Sequence, residues 1–442
     1  MANAYGYQNS FDDSLAQEFR KVLSVPSEIT LLDGSFFSDV INFTRTSSAT
    51  YFDADGILQT ATPDIPRIDY LPDGNGLCGL MIEGARTNKF IQATDLSTWA
   101  KAGNNTLNIN AITSPDGTTN AAHLVADNTA GTHWLGAASS PAIAAGATCS
   151  ISIFMKRNGL GINNRYFHFS IRNSDWSGRV GFQVDLDNGT IHKYEGGTGT
   201  VQSVRTENIG NGWYRCIANK CYIDASSTSA IVEGYFLSAL GGSGVTTGDG
   251  INGVGLYGGQ FEEDDFATSF IPTTTTAVTR AADICTINNI EASDWFNPVE
   301  GSFYADYQKI GAASTAYGVI VQVDNGSNDT NRIAIHTKPD NDSNAVCIVR
   351  TDGVTEYSFE GAVSGDNAPV KAALPYKEND TASAVNGITP ATDTSVILPT
   401  VTLNTLRIGL TAAFPQQFFG HIFGLKYYST RLKNEILGEL TT

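Results

Sequence analysis

Aromatic side chains in polar, turn-rich stretches are the residues of this sequence best suited to form a ligand site. The candidates are Trp134, Tyr166, His168 and Trp176. Flat rings stack on the apolar faces of sugars, while Asn, Asp and Arg side chains bind the hydroxyl groups. The alternative is that each ring lies in a core or at its rim, as we expect for Trp213, which enters a strand. The four residues are therefore candidates for a carbohydrate-binding surface.

Consecutive acidic residues form a second candidate site. They are Glu262, Glu263, Asp264 and Asp265. Calcium prefers several carboxylate oxygens as ligands, so this cluster is a candidate for a structural Ca²⁺ site. The alternative is a solvated turn that holds no ion. No other cofactor is expected.

Motifs of catalysis and nucleotide binding are not convincing in this sequence. Gly253-x-Gly255-x-x-Gly258 matches a dinucleotide motif, but that motif functions between a strand and a helix, and strand-like residues follow here. The sequence contains no G-x-S-x-G, H-E-x-x-H or P-loop motif. We expect a protein without enzymatic activity. A glycosidase remains an alternative, because its pair of carboxylates has no local signature.

Composition and charge exclude several classes of partner. Of 442 residues, only 16% are charged, and 45 acidic against 27 basic residues give a net charge of −18. Such a surface repels nucleic acids and anionic membranes. The first ten residues lack the features of a signal peptide, and no apolar run reaches the roughly 18 residues of a membrane span. We expect neither nucleic-acid binding nor membrane insertion.

The cysteines indicate synthesis in a reducing compartment. Their spacing matches no metal-binding motif, and we expect all of them to be reduced and mostly buried. A protein that works in an exposed position yet carries no export signal is explained by assembly inside a cell and release by lysis. The cysteines are Cys78, Cys149, Cys216, Cys221, Cys285 and Cys347.

Short strands separated by turns dominate the sequence after residue 95. The 44 glycines and the scarcity of charge favour strands and turns over helices. Alternating segments such as Cys149–Met155 and Ile231–Leu237 recur at the spacing of sandwich or jelly-roll proteins. The sequence predicts an all-β protein with two consecutive β-sandwiches, a jelly roll over 95–283 and a second sandwich over 284–442.

Short helices are predicted at the two ends of the chain. In the last one, Leu432, Ile436 and Leu440 recur at helical spacing behind Ser429 or Thr430 as cap. The first lies in an attachment segment, residues 1–35, and docks on another subunit, on a partner or on its own chain. Residues 36–94 form a turn-rich module between this segment and the jelly roll. The apolar stripe of the first helix consists of Leu15, Phe19, Val22 and Leu23.

Groups of short motifs resemble modules of tailed-phage tail fibre and spike proteins. Those of the turn-rich module are Phe43-Thr-Arg45-x-Ser-x-Ala49-Thr50, Asp53-x-x-Gly56, Pro66-Arg67-x-Asp69-Tyr70 and Gly79-Leu80-x-Ile82-Glu83-x-Ala85-Arg86-Thr87-Asn88. The second group resembles the carbohydrate-binding jelly rolls that often follow this module. It includes Gly212-Trp213-Tyr214-Arg215-Cys216, Gly258-Gly259-Gln260-Phe261-Glu262, Ser269-Phe270-Ile271-Pro272-Thr273 and Thr279-Arg280-Ala281-Ala282-Asp283. The C-terminal third is similar to concanavalin-A-like (laminin-G-like) sandwiches in Tyr376-Lys377-x-Asn379-Asp380, Arg407-Ile408-Gly409 and Phe419-Gly420-His421-Ile422.

The resemblance implies a virion appendage that recognises glycans on the host surface. It implies a homo-oligomer, typically a trimer, attached to other virion proteins through the N-terminal segment and assembled in the host cytoplasm. Binding would be non-catalytic and multivalent. It transfers no sugar-binding residue to this sequence. The alternatives are a purely structural virion protein, whose sandwiches are spacers and subunit interfaces, and an enzyme that cleaves polysaccharide.

Overall fold

The protein is built almost entirely of β-strands. The computed structural model describes residues 28–442 except 35, 72–75, 138–139, 162, 312–316, 327–328, 340–343, 364–367, 389 and 412–416. Strands make up 52% of these described residues and helices 3%. The predicted all-β class is confirmed. The predicted first helix, with Leu15, Phe19, Val22 and Leu23, lies outside the described residues.

The described strands follow one another in chain order with two 3₁₀ helices, Leu96–Thr98 and Ile290–Ala292, and a C-terminal α-helix, α1 (Asn434–Leu440). The strands are β1 (Glu28–Asp33), β2 (Phe36–Phe37), β3 (Asn42–Thr44), β4 (Ala49–Phe52), β5 (Leu58–Ala61), β6 (Arg67–Tyr70), β7 (Cys78–Ile82), β8 (Arg86–Asn88), β9 (Ala100–Ala102), β10 (Asn105–Ile112), β11 (Ala121–Ala126), β12 (Gly131–Thr132), β13 (Trp134–Gly136), β14 (Thr148–Asn158), β15 (Tyr166–Arg172), β16 (Gly178–Asp185), β17 (Ile191–Gly197), β18 (Thr200–Gly210), β19 (Trp213–Tyr222), β20 (Ile231–Leu237), β21 (Val245–Thr246), β22 (Gly253–Glu262), β23 (Val278–Arg280), β24 (Ile284–Asn288), β25 (Glu300–Lys309), β26 (Gly318–Asp324), β27 (Arg332–Thr337), β28 (Ala345–Thr351), β29 (Val354–Gly361), β30 (Val370–Lys377), β31 (Thr381–Val385), β32 (Ala391–Asp393), β33 (Thr405–Ile408) and β34 (Gly420–Tyr428).

The first sandwich consists of two antiparallel sheets. We call one the aromatic sheet, with strand order β17-β16-β15-β20-β13-β9, and the other the junction sheet, with order β10-β11-β22-β14-β19-β18. Alternate residues of each strand fill one shared core, as Ile151, Ile153 and Met155 do on β14. Each sheet therefore presents a second, outer face to whatever lies beyond the sandwich.

The second sandwich also has two sheets, and strands from both ends of the chain build them. One has the order β2-β1-β34-β25-β30-β31-β32, with β7 joined to β34 and β6 to β7; the other has the order β29-β28-β27-β26-β33-β24-β3. The pairs Ile29↔Tyr427, Phe43↔Cys285 and Leu80↔Ile422 fix the register of the N-terminal strands. The side chains of both regions share one hydrophobic core.

This pairing shows that the first sandwich is inserted within the sequence of the second. The boundaries at 36, 95 and 284 remain a prediction. Strands β1, β3, β6 and β7, however, do not form a sheet of their own in a separate N-terminal module; they complete the second sandwich. The partners of β1, β3 and β7 in that sandwich lie more than two hundred residues away in sequence, and β6 joins it through β7. Local periodicity carries no information about such partners.

The C-terminal helix differs from its prediction at its start. Helix α1 begins at Asn434 with Lys433 at the N-cap, and no side chain caps it. The backbone carbonyls of Ser429 and Thr430, the predicted caps, instead accept hydrogen bonds from the Asn297 and Ser302 side chains. These bonds hold the chain in an extended course after β34, so the helix starts several residues later. Its apolar side packs on the second sandwich.

Two further expectations concern the cysteines and membrane crossing. All six cysteines are free thiols, and all but Cys78 are buried, which confirms the prediction. Within the described ranges, no helix has the length and apolar character needed to cross a membrane.

Candidate functional site

The outer face of the aromatic sheet collects the rings predicted from the sequence. On β15, Phe167, Phe169 and Ile171 point into the core, so His168 and Arg172 must point outward. Trp134 on β13 reaches the same face through the pairing of β13 and β20 with β15. Strand alternation thus brings together side chains that are far apart in sequence.

A row of rings crosses this face from β17 to β13. Tyr194, His168, Tyr235 and Trp134 occupy successive positions of the row, which we call the aromatic row. The His168 ring stacks on Tyr235 at 4.2 Å between centroids and 19° between planes, and Tyr194 meets it edge-on at 4.3 Å. Tyr235 lies opposite Trp134 in the strand register. Gly181 pairs with Tyr194 and has no side chain between that ring and His168.

The members of the aromatic row differ in exposure. His168 is fully buried, so its prediction as a platform for a sugar is wrong. Its Nε2 lies 2.8 Å from Ser170 Oγ. Burial, and secondarily the charge of Arg179, lower the pKa of His168 to about 3. Tyr194, Tyr235 and Trp134 are partly exposed, and they are the rings that a ligand can reach.

Trp134 is held in place by a glycine on its own strand. A Cβ atom added at Gly136 would lie 2.3 Å from the indole ring, so the ring occupies the space that a side chain would fill. The backbone on either side of Trp134 is paired, with Ala102 on β9 and Tyr235 on β20. The Trp134 ring therefore lies over an ordered part of the sheet.

Arg179 on β16 supplies a cation beside the aromatic row. Among the described residues its side chain has no ion pair and no hydrogen bond, and its Nε is buried. Its charge acts on both His168 and Tyr235. An added Cβ at Gly196 would lie 2.7 Å from Arg179 Nε, so this glycine makes room for the guanidinium. Arg179 was not predicted from the sequence. The one feature of the sequence that indicates its place on this face is that it lies two residues before Gly181 on the same strand, and alternate residues of a strand share a face.

The remaining predicted rings lie outside the row. Tyr166 is partly buried, and the Arg165 guanidinium lies 5.0 Å from its ring centroid. Trp176 is 49% exposed in the β15–β16 turn, and the Arg172 guanidinium lies 3.6 Å from its ring centroid. Each ring already has one cation against it. Trp213 is buried, which confirms its assignment to a core.

The acidic residues at 262–265 do not form a calcium site. Within the described chain, no group of His, Cys, Asp and Glu residues is arranged to hold a metal ion. Glu262 is fully buried at the end of β22 and accepts hydrogen bonds from the backbone N–H and the hydroxyl of Thr268 at 2.8 and 2.6 Å. Glu263, Asp264 and Asp265 pair separately with three different cations. These cations are Lys89, Arg86 and Lys220.

The central strands of the junction sheet are covered on their outer face by the rest of the chain, and a buried ionic network lies there. Arg67 binds Glu83 at 2.9 Å and Asp283 at 2.6 Å, Arg45 binds Asp283 at 3.0 Å, and Arg280 binds Glu83 at 2.8 Å. Burial alone would raise the pKa of Glu83, but the two arginines outweigh it and lower that pKa well below its ordinary value. We call these five residues the junction network.

The junction network consists of motif residues that carried the resemblance to phage proteins. Asn88 and Gln260, from the same motifs, hold the backbone around Ile271: Asn88 Nδ2 donates to the carbonyl oxygens of Gly259 and Ile271, and Ile271 N–H donates to Gln260 Oε1. All of these side chains are buried. Their role in this structure is to join the first sandwich to the second, and none of them is placed to bind a ligand in solution.

Comparisons with known proteins find partial likenesses to solved structures. No protein-family model and no curated protein matches the chain. Among solved structures, the CBM40 of the Ruminococcus gnavus IT-sialidase is 17% identical over 33% of this chain and 84% of that one, with a TM-score of 0.29. The Streptococcus pneumoniae NanB sialidase is 12% identical over 36% of this chain and 26% of that one, with a TM-score of 0.29. Botulinum neurotoxin type C is 13% identical over 36% and 39%, with a TM-score of 0.28. At TM-scores below 0.3, none of these likenesses supports a conclusion about this chain.

Proposed function

We propose that this protein binds a cell-surface glycan, without cleaving it, on the outer face of the aromatic sheet. The observation that carries this proposal is the aromatic row, with its partly exposed rings Tyr194, Tyr235 and Trp134, beside the unpaired cation of Arg179. A sugar places apolar C–H groups against such rings and directs hydroxyl or carboxylate oxygens at a guanidinium. The face offers both kinds of contact within a few strands.

Rigidity supports this role. His168 lies between two tyrosines at the centre of the row and stays neutral near physiological pH, because its pKa is about 3. It acts as a spacer that keeps the neighbouring rings in position before a ligand arrives. Preorganised rings lose little conformational entropy when a sugar stacks on them.

Binding without catalysis fits the carboxylates of this face. Glu233 on β20 is bound by Arg172 at 3.0 Å, and Asp185 on β16 is bound by Arg165 at 2.6 Å. A glycosidase needs one carboxyl group to donate a proton and a second to act as base or nucleophile. The pKa of Asp185 lies below its ordinary value, chiefly because Arg165 donates hydrogen bonds to it, so this carboxyl group is a poor proton donor.

The setting that we propose is a bacteriophage appendage of the tail fibre or spike type. The sandwiches would project from the particle, and residues 1–35 would attach a homotrimer to other virion proteins. Several shallow sites on one particle would give an avidity far above the affinity of each. A net charge of −18 limits nonspecific adhesion, and free cysteines suit assembly in a host cytoplasm.

A purely structural role is the second candidate, and the junction network favours it. A spacer must transmit force between its domains, and buried ion pairs fix the two sandwiches relative to each other. In that case the aromatic row would serve as an interface between subunits. The rings would then bind protein and no sugar.

A glycan-array screen of the intact oligomer tests the proposed function. We expect binding to a restricted set of glycans, with the same set lost in Trp134→Ala and kept in a control, Leu160→Ala, at a residue that is 89% exposed elsewhere on the first sandwich. Release of reducing sugar from any bound polysaccharide would show an enzyme instead. An array without a bound glycan would favour the structural role.

A further inference from the structure

A cleft of about 430 Å³ opens where the β4–β5 hairpin, the junction sheet and the second sandwich meet. The hairpin packs its Phe52 and Leu58 side chains on the junction sheet, in one cluster with Phe154 and Phe270. The cleft runs beside this cluster. It is separate from the aromatic row, because none of the residues of the row lines it.

Rings form the apolar wall of the cleft. Phe154 lies at the centre of this wall, with its ring centroid 6.5 Å from that of Phe52 and 5.7 Å from that of Phe270, both in edge-on geometry. All three residues are buried and belong to one packed cluster. The wall is therefore preformed, and an apolar ligand would not have to reorganise it.

Charged side chains line the cleft beside this wall, and the Arg215 guanidinium lies 5.7 Å from the Phe154 ring centroid. Arg205 binds Glu207 Oε1 at 3.0 Å, while Arg215 reaches the other oxygen of Glu207 only at 3.8 Å. The second carboxylate of the lining, Asp69, binds His421 at 2.7 Å. With Lys309, the lining contains three Lys or Arg side chains against two carboxylates.

Arg215 has a weaker ionic partner than Arg205. Only 6% of it is exposed, and its short hydrogen bonds go to neutral oxygens, Ser152 Oγ and the Thr268 carbonyl. Burial lowers its pKa, and neighbouring Glu207 opposes this effect. A buried cation of this kind gains from an additional anion nearby.

The junction network adds a second source of positive potential behind the cleft. It contains three arginines and two carboxylates, and Ser269 connects the two sites by lining the cleft while binding Glu83 and Arg67. An excess of cations on both sides of Ser269 stands out in a chain whose net charge is −18. Low-dielectric walls focus such a potential into a cleft.

We propose that this cleft is a second binding site, for a compact ligand with an apolar body and one anionic group. The body would lie on the Phe52, Phe154 and Phe270 wall, and the anion would face Arg205 and Arg215. Such a ligand would contact both sandwiches at once. It would therefore stabilise their junction.

The dye 1-anilinonaphthalene-8-sulfonate, which combines aromatic rings with a sulfonate, is a suitable probe. In a fluorescence titration of the intact protein we expect one saturable site. Leu71→Trp adds bulk at a partly exposed lining residue and abolishes this site, while Leu160→Trp, which adds the same ring away from the cleft, leaves it intact. Circular dichroism of each variant checks that it is folded.

The anionic requirement is tested in the same assay. Arg205→Glu reverses one charge of the lining and lowers the affinity for the dye about tenfold, as expected for a partly exposed charge. The control variant Arg157→Glu, outside the cleft, has little effect on this affinity. 4-Phenylbutyrate displaces the dye at lower concentration than 4-phenylbutan-1-ol. The proposed site is wrong if the dye shows no saturable binding, or if its binding is unchanged in Leu71→Trp or Arg205→Glu. The proposed preference for anions is wrong if the two competitors displace the dye equally well.

Discussion

The two outer faces of the first sandwich arise from the same strand alternation, but they differ in what covers their polar and aromatic side chains. On the junction sheet, polar residues such as Gln260, Glu262 and Arg215 are covered by the rest of the chain and bonded to protein atoms. On the aromatic sheet, the rings of Tyr194, Tyr235 and Trp134 stay partly exposed, and Arg179 has no ion pair among the described residues. Charged motif residues therefore mark the structural face, while the candidate binding face is marked by rings and an unpaired cation.

The largest difference between the two faces should appear in stability. Arg67→Ala leaves Glu83 and Asp283 buried without one of their partners, and we expect it to lower the free energy of unfolding by about 3–5 kcal/mol. Arg179→Ala removes no ion pair and should cost less than about 0.5 kcal/mol. Urea unfolding of both variants measures the contrast. Equal losses would mean that the two faces do not differ as described.

Ligand affinity should respond to substitutions on the aromatic sheet, in contrast to stability, which should respond to substitutions in the junction network. Trp134→Ala removes a partly exposed ring of the aromatic row and should weaken glycan binding about tenfold or more, whereas Trp134→Phe keeps most of it. Trp176→Ala is the matched control, because that ring lies in a turn outside the row and is occupied by Arg172. Isothermal titration with a glycan identified on the array measures each affinity. A larger loss in Trp176→Ala would move the site to the turn.

The buried histidine of the aromatic row should be visible in the pH dependence of stability. The pKa of His168 is about 3 in the folded protein and about 6.5 in the unfolded chain, so the unfolded state binds more protons between these values. Stability is then highest above pH 6.5 and falls as the pH drops toward 3. His168→Gln should flatten this slope, and His192→Gln, at an exposed position on β17, should not.

That same pKa predicts how binding responds to pH. His168 stays neutral from pH 5 to 8, so glycan affinity should be constant over this range. Titrations at several pH values measure it. An affinity that changes strongly near pH 6.5 would show that His168 titrates in the folded protein, and would contradict its burial.

The smallest effect concerns metal ions. Because Glu263, Asp264 and Asp265 each pair with a different cation, Ca²⁺ or EDTA should shift the melting temperature by less than about 1 °C. Asp264→Asn should likewise change the free energy of unfolding by less than about 0.5 kcal/mol. A calorimetric scan with each additive provides the measurement. An increase of several degrees in the melting temperature on addition of Ca²⁺ would support the calcium site that the sequence suggested.

The sequence alone was sufficient to predict where strands lie, but it was insufficient to predict which strands pair with each other. Alternation predicted Ile231–Leu237 with the bounds that the structure shows, and the predicted segment Cys149–Met155 lies inside the longer strand β14. It also predicted the all-β class. It did not predict that β1 pairs with β34, since pairing across the whole chain depends on complementary faces that no local window contains. Insertion of one sandwich into another was therefore missed.

The candidate site was predicted only in part, because some of its features depend on which strands are neighbours. Trp134 and His168 share one face because each follows from the alternation of its own strand. The burial of His168 depends on Tyr194 and Tyr235, which arrive from other strands. Arg179 becomes notable only when its neighbours are known, because an arginine on a strand carries no signal of being unpaired.

Glycan titration of Arg179→Ala, with the melting temperature measured on the same samples, tests the central claim most directly. Arg157→Ala is the control, since Arg157 lies on the junction sheet and pairs with Asp187. We predict that Arg179→Ala loses about tenfold or more in affinity at an unchanged melting temperature, and that Arg157→Ala keeps the wild-type affinity. Equal affinity of wild type and Arg179→Ala would contradict a binding site beside the aromatic row.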